Sequence, residues 1–419
     1  MDKKEINKYF TLLSLYLAQS IPMSFFSTVI PVIMRMENYS LESIGYLQLI
    51  KLPWIFKFLW APLVDGTSHS SKQYRRWILS SELFYAVVII GIGFFNLQTD
   101  FTTIIVLMII AFTASATQDI ATDAFAILVL KDKERSIGNS MQSAGSFIGS
   151  MVGGGFLLII YHYWGWQPLL CCLGIFVLIA LIPVVLFKNH SSRELGKSRK
   201  NISPVEFIYF FKQKGMGWHL ILLFLFYSGL IGILTMIKPY LVDLGYNIKE
   251  IGTIIMIFGT ACGTLMTLPA GFIIRKLGVV KSIWIFPVFI LAAALYFFAL
   301  TYTSHPIYLI YIGVCLLWSA YAMASVFVYT LGMKIVRPGR EGTDFTIQIV
   351  ITHLSSLIIA VSSGKIADAI SYRGLFAIEI GMAVLLLALI PFLFKKDFYS
   401  TEKRCPVMEA GAEFPDKNI

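Results

Sequence analysis

The stretch FTASATQDIATDAFAILVLKDKER, residues 112–135, reads as an apolar helix that carries Gln118, Asp119 and Asp123 inside it and ends in the charged loop Lys131-Asp132-Lys133-Glu134-Arg135. Asp119 and Asp123 are four residues apart, so on a helix they share one face and repel each other. In hydrocarbon each would also cost about 2.5–3.5 kcal/mol to insert. Such a pair requires a cation, a proton or water beside it.

The surrounding chain supplies the hydrocarbon setting. Of 419 residues 57% are hydrophobic and only 14% charged, and the mean hydropathy is +0.75, beyond any soluble globular composition. Apolar runs recur over 9–34, 41–64, 77–97, 101–130, 136–160, 166–187, 217–243, 248–274, 281–302, 306–335, 343–369 and 373–394. Each is near the roughly 20 residues that cross a bilayer core. The first is too long for the apolar region of a signal peptide and lacks a small-residue cleavage site, so it reads as a retained span.

The net charge of +10 does not point to nucleic acid, because the basic residues sit in short loops between spans. With the N-terminus inside, Lys72, Arg75, Arg76, Lys131, Lys133, Arg135, Arg275, Lys276, Lys281, Lys334, Arg337 and Arg340 all fall on the inner side, and the outer loops hold only Arg35, Lys249 and Arg373. This asymmetry places both termini in the cytoplasm. The cysteines, adjacent Cys171 and Cys172 included, read as packing residues, since no metal-ligand spacing accompanies them. His162, His219, His305 and His353 are scattered, no Walker sequence GxxxxGK[ST] is present, and neither an enzyme nor a bound cofactor is expected.

The polar segment Lys188 to Met216 divides the spans six and six. The expected domains are 1–187, a linker 188–216, a second bundle 217–394 and a polar cytoplasmic tail 395–419. The halves resemble each other: Tyr39 to Gly45 matches Tyr246 to Gly252 at an offset of 207, and Gln142, Trp166 and Leu169 match Gln348, Tyr372 and Leu375 at 206. The expected fold is therefore an all-α integral membrane protein, twelve transmembrane helices in two pseudo-symmetric six-helix bundles around a midplane site, the plan of the major facilitator fold.

Four lysines, Lys51, Lys57, Lys238 and Lys365, belong to no loop and should face protein or a water-filled cavity. Counted back from the helix ends, Lys57 lies level with Asp123, and Lys51 with Gln118 and Asp119. These pairs are expected across a cavity, either as packing ion pairs or as a functional site in which Lys51 binds an anionic group and Asp119 titrates. A carboxylate with a like-charged neighbour in a poorly hydrated place favours its protonated form. Lys238 is deep enough to face the cavity, whereas Lys365 can pair with Asp368. Glu82 reads as an interface residue, and Glu379 has no evident place. The glycines of the fifth span, Gly138, Gly145, Gly149, Gly153, Gly154 and Gly155, predict close helix packing. Asp65 and Gly271 to Arg275 mark inner turns where a charge at a helix end can hold a gate.

The run LPWIFKFLWAPLVD, residues 52–65, followed by Gln118-Asp119 and Asp123-Ala124, is similar to the AmpG-type muropeptide permeases of the major facilitator superfamily and, more loosely, to acetyl-CoA transporters. Lys57, Asp65, Gln118, Asp119 and Asp123 match that motif, and the loop from Glu134 through Arg135 to Gly138 resembles the superfamily's inner loop after its fourth helix. The specific likeness covers the first third of the chain, and twelve spans are two fewer than some members carry. The resemblance implies proton symport of cell-wall degradation products, anhydro-sugar peptides, from periplasm to cytoplasm across the bacterial inner membrane. The candidate roles are proton coupling at Asp119 and Asp123, substrate binding at Lys51, Lys57, Gln118, Lys238 and Trp54, and gating at Asp65 and Arg135. The expected partners are a small amphipathic, anionic substrate, protons and membrane lipid, and the expected state is a monomer. Acetyl-CoA, a siderophore, a nucleoside or another organic anion is an alternative cargo, and a non-transporting sensor or scaffold is an alternative of another class.

Overall fold

The computed structural model describes residues 3–36, 50–68, 70–97, 99–187, 205–394 and 399. The first half of the Tyr39/Tyr246 repeat, most of the linker and the tail apart from Tyr399 lie outside the described residues. The described chain is helical throughout. Eight helices in it are long and apolar enough to cross a membrane, and the longest, Glu341–Leu393, is two crossings joined at a kink where Ile370 and Ser371 leave helical geometry. The remaining crossings contain broken or more polar helices, which completes the twelve.

The helices used below are α1 Lys3–Ser24, α2 Leu52–Phe56, α3 Ala61–Gly66, α4 Ser71–Ile92, α5 Phe101–Val129, α6 Arg135–Met151, α7 Trp166–Ala180, α8 Met216–Phe226, α9 Ile231–Asp243, α10 Thr260–Leu277, α11 Val279–Leu300, α12 Ile307–Met333 and α13 Glu341–Leu393. The second crossing is interrupted because Pro53 and Pro62 each sit in the first turn of a helix, α2 and α3, with a 3₁₀ turn Lys57–Leu59 between them. Proline lacks the N–H that would continue the ladder, so it is tolerated where a helix begins. The seventh crossing is interrupted too, by turns over 227–230 between α8 and α9.

The glycines of α6 have the role expected of them. A Cβ at Gly145 or Gly149, or at Gly153 in the π-helical turn Val152–Phe156 that continues α6, would meet Tyr16 Cβ at 2.9 Å, Ser20 Cβ at 2.5 Å or the Ile21 carbonyl at 2.2 Å, so this crossing lies backbone to backbone on α1. Pseudo-symmetry extends to turn geometry. Gly165 (φ 76, ψ −169) opens α7, and Ser371 (φ 68, ψ 169), 206 residues later, takes the same left-handed conformation.

The apolar core is divided by bundle. One large cluster fills the second bundle, from Phe226 and Phe286 to Leu386, and two fill the first. A fourth cluster joins them: Tyr9, Leu12, Tyr16, Ala126 and Ile137 of the first bundle pack with Met333, Phe345 and Ile349 of the second. It lies toward the end of the molecule that carries the basic loops.

Candidate functional site

The interior charges of the first bundle meet where α5 crosses the broken second crossing. Lys57 is 1% exposed and its Nζ is ion-paired with Asp119 Oδ2. Gln19 of α1 completes the group, with its Nε2 donating to Asp119 Oδ1 at 2.8 Å and to Gln118 Oε1 at 2.7 Å. The Lys57 ammonium also lies 4.8 Å from the centre of the Trp54 ring, a cation–π distance. One turn along α5, Asp123 accepts a 2.5 Å hydrogen bond from the Tyr16 hydroxyl. Trp60 Nε1 donates to Thr117 Oγ1 at 3.0 Å and ties the interruption to α5.

The pairing therefore differs by one helical turn from the sequence expectation of Lys57 with Asp123 and Lys51 with Asp119. The cause is the interrupted crossing. Helix α3 runs on to Gly66 and α5 stops at Val129, so Lys57 lies nine residues before one end and Asp119 ten before the other. The 3₁₀ turn adds further rise, about 2.0 Å per residue against 1.5 Å in an α-helix. Lys51 caps α2, half-buried, while Asp119 is engaged by Lys57 and Gln19 instead. Lys238 and Lys365 are exposed in the second bundle, and the expected ion pair of Lys365 with Asp368 is not among those formed by the described residues. Glu82 is wholly buried, with neither carboxyl oxygen hydrogen-bonded among the described residues. The buried Glu379 packs against Gly232 at the start of α9, where a Cβ would meet its Oε1 at 2.1 Å, next to the break in the seventh crossing.

The second bundle presents rings rather than charges to this group. The Tyr329 hydroxyl of α12 is within electrostatic reach of Asp119 and Asp123, and the accessible His353 of α13 is within reach of Lys57 and Asp119. Tyr321 packs against Tyr227 at 5.9 Å and against Phe147 of the first bundle at 5.8 Å. Sequence reading missed Tyr16, Gln19, Tyr329 and His353. Gln19, an amide in the middle of the first apolar run, was the one with a visible signal. Buried donors remain at Gln118 Nε2 and Trp54 Nε1, neither hydrogen-bonded among the described residues.

At the basic end the two bundles grip each other through helix termini. Asp65 accepts the backbone N–H groups of Gly342 at 3.0 Å and Thr343 at 2.7 Å, and Tyr74 donates to the same carboxylate at 2.6 Å. A carboxylate there satisfies N–H groups that have no partner within α13 and complements the positive end of its dipole. Arg135 performs the converse at the end of α12, donating to the Met333 carbonyl at 3.0 Å. Beside it, partial burial holds the Lys334 ammonium below its ordinary pKa; the opposing charge of Asp132 offsets part of that, and the neighbouring Arg135 adds a smaller push in the same direction as burial. Asn139 donates to Thr330 at 3.3 Å, and Ser140 donates to the Thr267 carbonyl at 2.6 Å, where Gly271 leaves room for it.

A membrane-embedded bundle pair with a charged, ring-walled interior between its halves defines a transporter class, and the chain belongs to the Major Facilitator Superfamily, whose family model matches residues 10–348. It is 23% identical over 377 residues to the anhydromuropeptide permease of Escherichia coli (strain K12), covering 89% of this chain and 77% of that one. Among solved structures it resembles a bacterial homologue of the iron transporter ferroportin in an outward-facing state (TM-score 0.70, 13% identity, 94% and 99% of the two chains). It also resembles the transporter FucP in the outward conformation (TM-score 0.70, 14% identity, 94% and 100%). At those identities the structural likeness speaks to fold alone.

Proposed function

We propose that this transporter is a proton-coupled symporter that carries anhydromuropeptides, cell-wall degradation products, from periplasm to cytoplasm across the bacterial inner membrane by alternating access. The observation that carries the proposal is the buried Lys57–Asp119 pair, braced by Gln19 and faced by rings of the other bundle. A buried ion pair contributes little net stability, because desolvation offsets most of the attraction, so its retention calls for a reason other than stability. Protonation of Asp119 removes the anion from Lys57. The freed ammonium then binds a carboxylate of the cargo, so proton and anion enter together. Asp123, held by Tyr16, is the second carboxylate of the coupling group.

The cargo rests on the motif Lys57, Asp65, Gln118, Asp119 and Asp123 and on the likeness to the permease named above. Trp54, Gln118 and the tyrosines of α12 suit a sugar ring and a peptide, while Lys51 and Lys238 supply cations along the route of entry. Asp65 and Arg135 act as the gate at the basic end, which the placement of loop charges assigns to the cytoplasm. With that gate shut, the conformation is the outward-facing one, and the chain works as a monomer with both termini inside.

Purified protein in proteoliposomes with an imposed pH gradient tests this reading. Accumulation of labelled anhydromuropeptide that follows the gradient supports it. No accumulation by a well-folded preparation that instead takes up acyl-CoA or a siderophore would remove the cargo assignment.

A further inference from the structure

The basic end is held from a second side, by residues that no part of the proposed mechanism uses. His219 of α8 is fully buried and both ring nitrogens are engaged, Nε2 with Gln348 Oε1 at 2.7 Å and Nδ1 with the Tyr399 hydroxyl at 2.9 Å. The Gln348 amide donates through Nε2 to the carbonyls of Asp344 at 2.9 Å and Gly332 at 3.3 Å. These two acceptors fix the amide's orientation, so its oxygen can only accept. His219 must then donate from Nε2, which leaves Nδ1 as the acceptor for Tyr399. The Tyr399 ring is 6% exposed and is stacked on Phe394 at 4.3 Å and 11°.

The chain of donors ends on two particular places. Asp344 lies in the first turn of α13, whose N–H groups Asp65 takes, and Gly332 adjoins Met333 at the end of α12, whose carbonyl Arg135 takes. The same two helix termini are thus gripped across the interface by the first bundle and from behind by Gln348, His219 and Tyr399. We infer that Tyr399, beyond the last crossing, is an intramolecular latch that acts through the positioning residues His219 and Gln348 to hold the α12 and α13 termini in register with Asp65 and Arg135. The latch rests on the reading of that end as a gate. Release of the tyrosine frees the imidazole and the amide to turn, and the two carbonyls lose their common donor.

The test is the alkylation rate of a cysteine at Ser136, which is 3% exposed on α6 under the closed end. The full chain is used in membranes, with its five native cysteines replaced. Tyr399→Phe keeps the stacked ring and removes only the hydroxyl. It is expected to speed labelling about three- to tenfold, the shift that loss of one net hydrogen bond produces, with the melting temperature lowered by no more than a few degrees. Asp65→Asn should speed it at least as much. If Tyr399→Phe labels at the parent rate while Asp65→Asn labels faster, the latch is overturned and the gate stands. If neither variant speeds labelling, the gate reading falls and the latch with it.

Discussion

The two bundles share a plan and differ in what they place at the centre. The first holds Lys57, Asp119, Gln118 and Gln19 in one hydrogen-bonded group, with Asp123 one turn away on Tyr16, whereas the second faces that group with Tyr329, Tyr321, Tyr227 and His353 and keeps Lys238 and Lys365 exposed. Their packing differs as well. Gly145, Gly149 and Gly153 bring α6 and its π-helical continuation onto α1, but 206 residues later the positions are Ile351, Ser355 and Ile359, and Ser355 reaches the Phe224 carbonyl through its hydroxyl at 2.5 Å. Under the proposed function, charge coupling falls to a tightly packed half and cargo contact to a ring-lined half.

The largest expected effect comes from breaking the charge group. Lys57→Met or Asp119→Leu alone leaves an uncompensated buried charge and should cost about 3–5 kcal/mol, read as a fall in melting temperature in detergent. The double variant should recover much of that loss, since no charge is left behind, while uptake stays abolished. If the three variants melt alike, the pair is not buried in the way described. Next comes the packing difference. Gly153→Ala must displace α1 and should destabilise by about 1–3 kcal/mol, whereas Ile359→Ala in the second bundle should leave α8 and α9 in place and act only through lost side-chain volume. Hydrogen exchange of α1 separates the two.

A smaller effect sharpens the division of labour. Tyr321→Phe should raise KM for cargo by about three- to tenfold with the proton dependence unchanged, the loss of one hydrogen bond to cargo. A change in coupling without a change in KM would place charge sensing in the second bundle too. The smallest effect concerns the turn the halves share. Ser371 has φ 68 and ψ 169, a conformation open to glycine and strained for other residues, where the first bundle has Gly165. Ser371→Gly should therefore stabilise by about 1 kcal/mol, and Gly165→Ser should destabilise by a similar amount. Melting temperatures of the two variants check the sign.

The fold was legible because hydropathy and loop length carry it: among the described residues the apolar runs coincide with helices, the run 41–64 being described only from residue 50, and the 206-residue offset reappears as a shared turn at Gly165 and Ser371. The contacts of the site were less so. Lys57, Asp119, Gln118 and Trp54 could be singled out as polar or aromatic groups in hydrocarbon, yet the partner of Lys57 depended on two helix ends and one 3₁₀ turn, and an error of one turn exchanges Asp119 for Asp123. Tyr16, Tyr329 and His353 carried no such signal, since a tyrosine or histidine in an apolar run is ordinarily packing. The Asp65 contact was half visible: the charge at a turn could be read, but its partners are backbone N–H groups 277 and 278 residues away.

The most direct test of the coupling role given to Asp119 is uptake of labelled anhydromuropeptide into cells lacking their own permease and expressing this chain, with and without a proton uncoupler, for the wild type and Asp119→Asn at matched membrane levels. The predicted result is uptake that the uncoupler collapses in the wild type and that is absent in Asp119→Asn. Uncoupler-sensitive uptake by Asp119→Asn at the wild-type rate would contradict it.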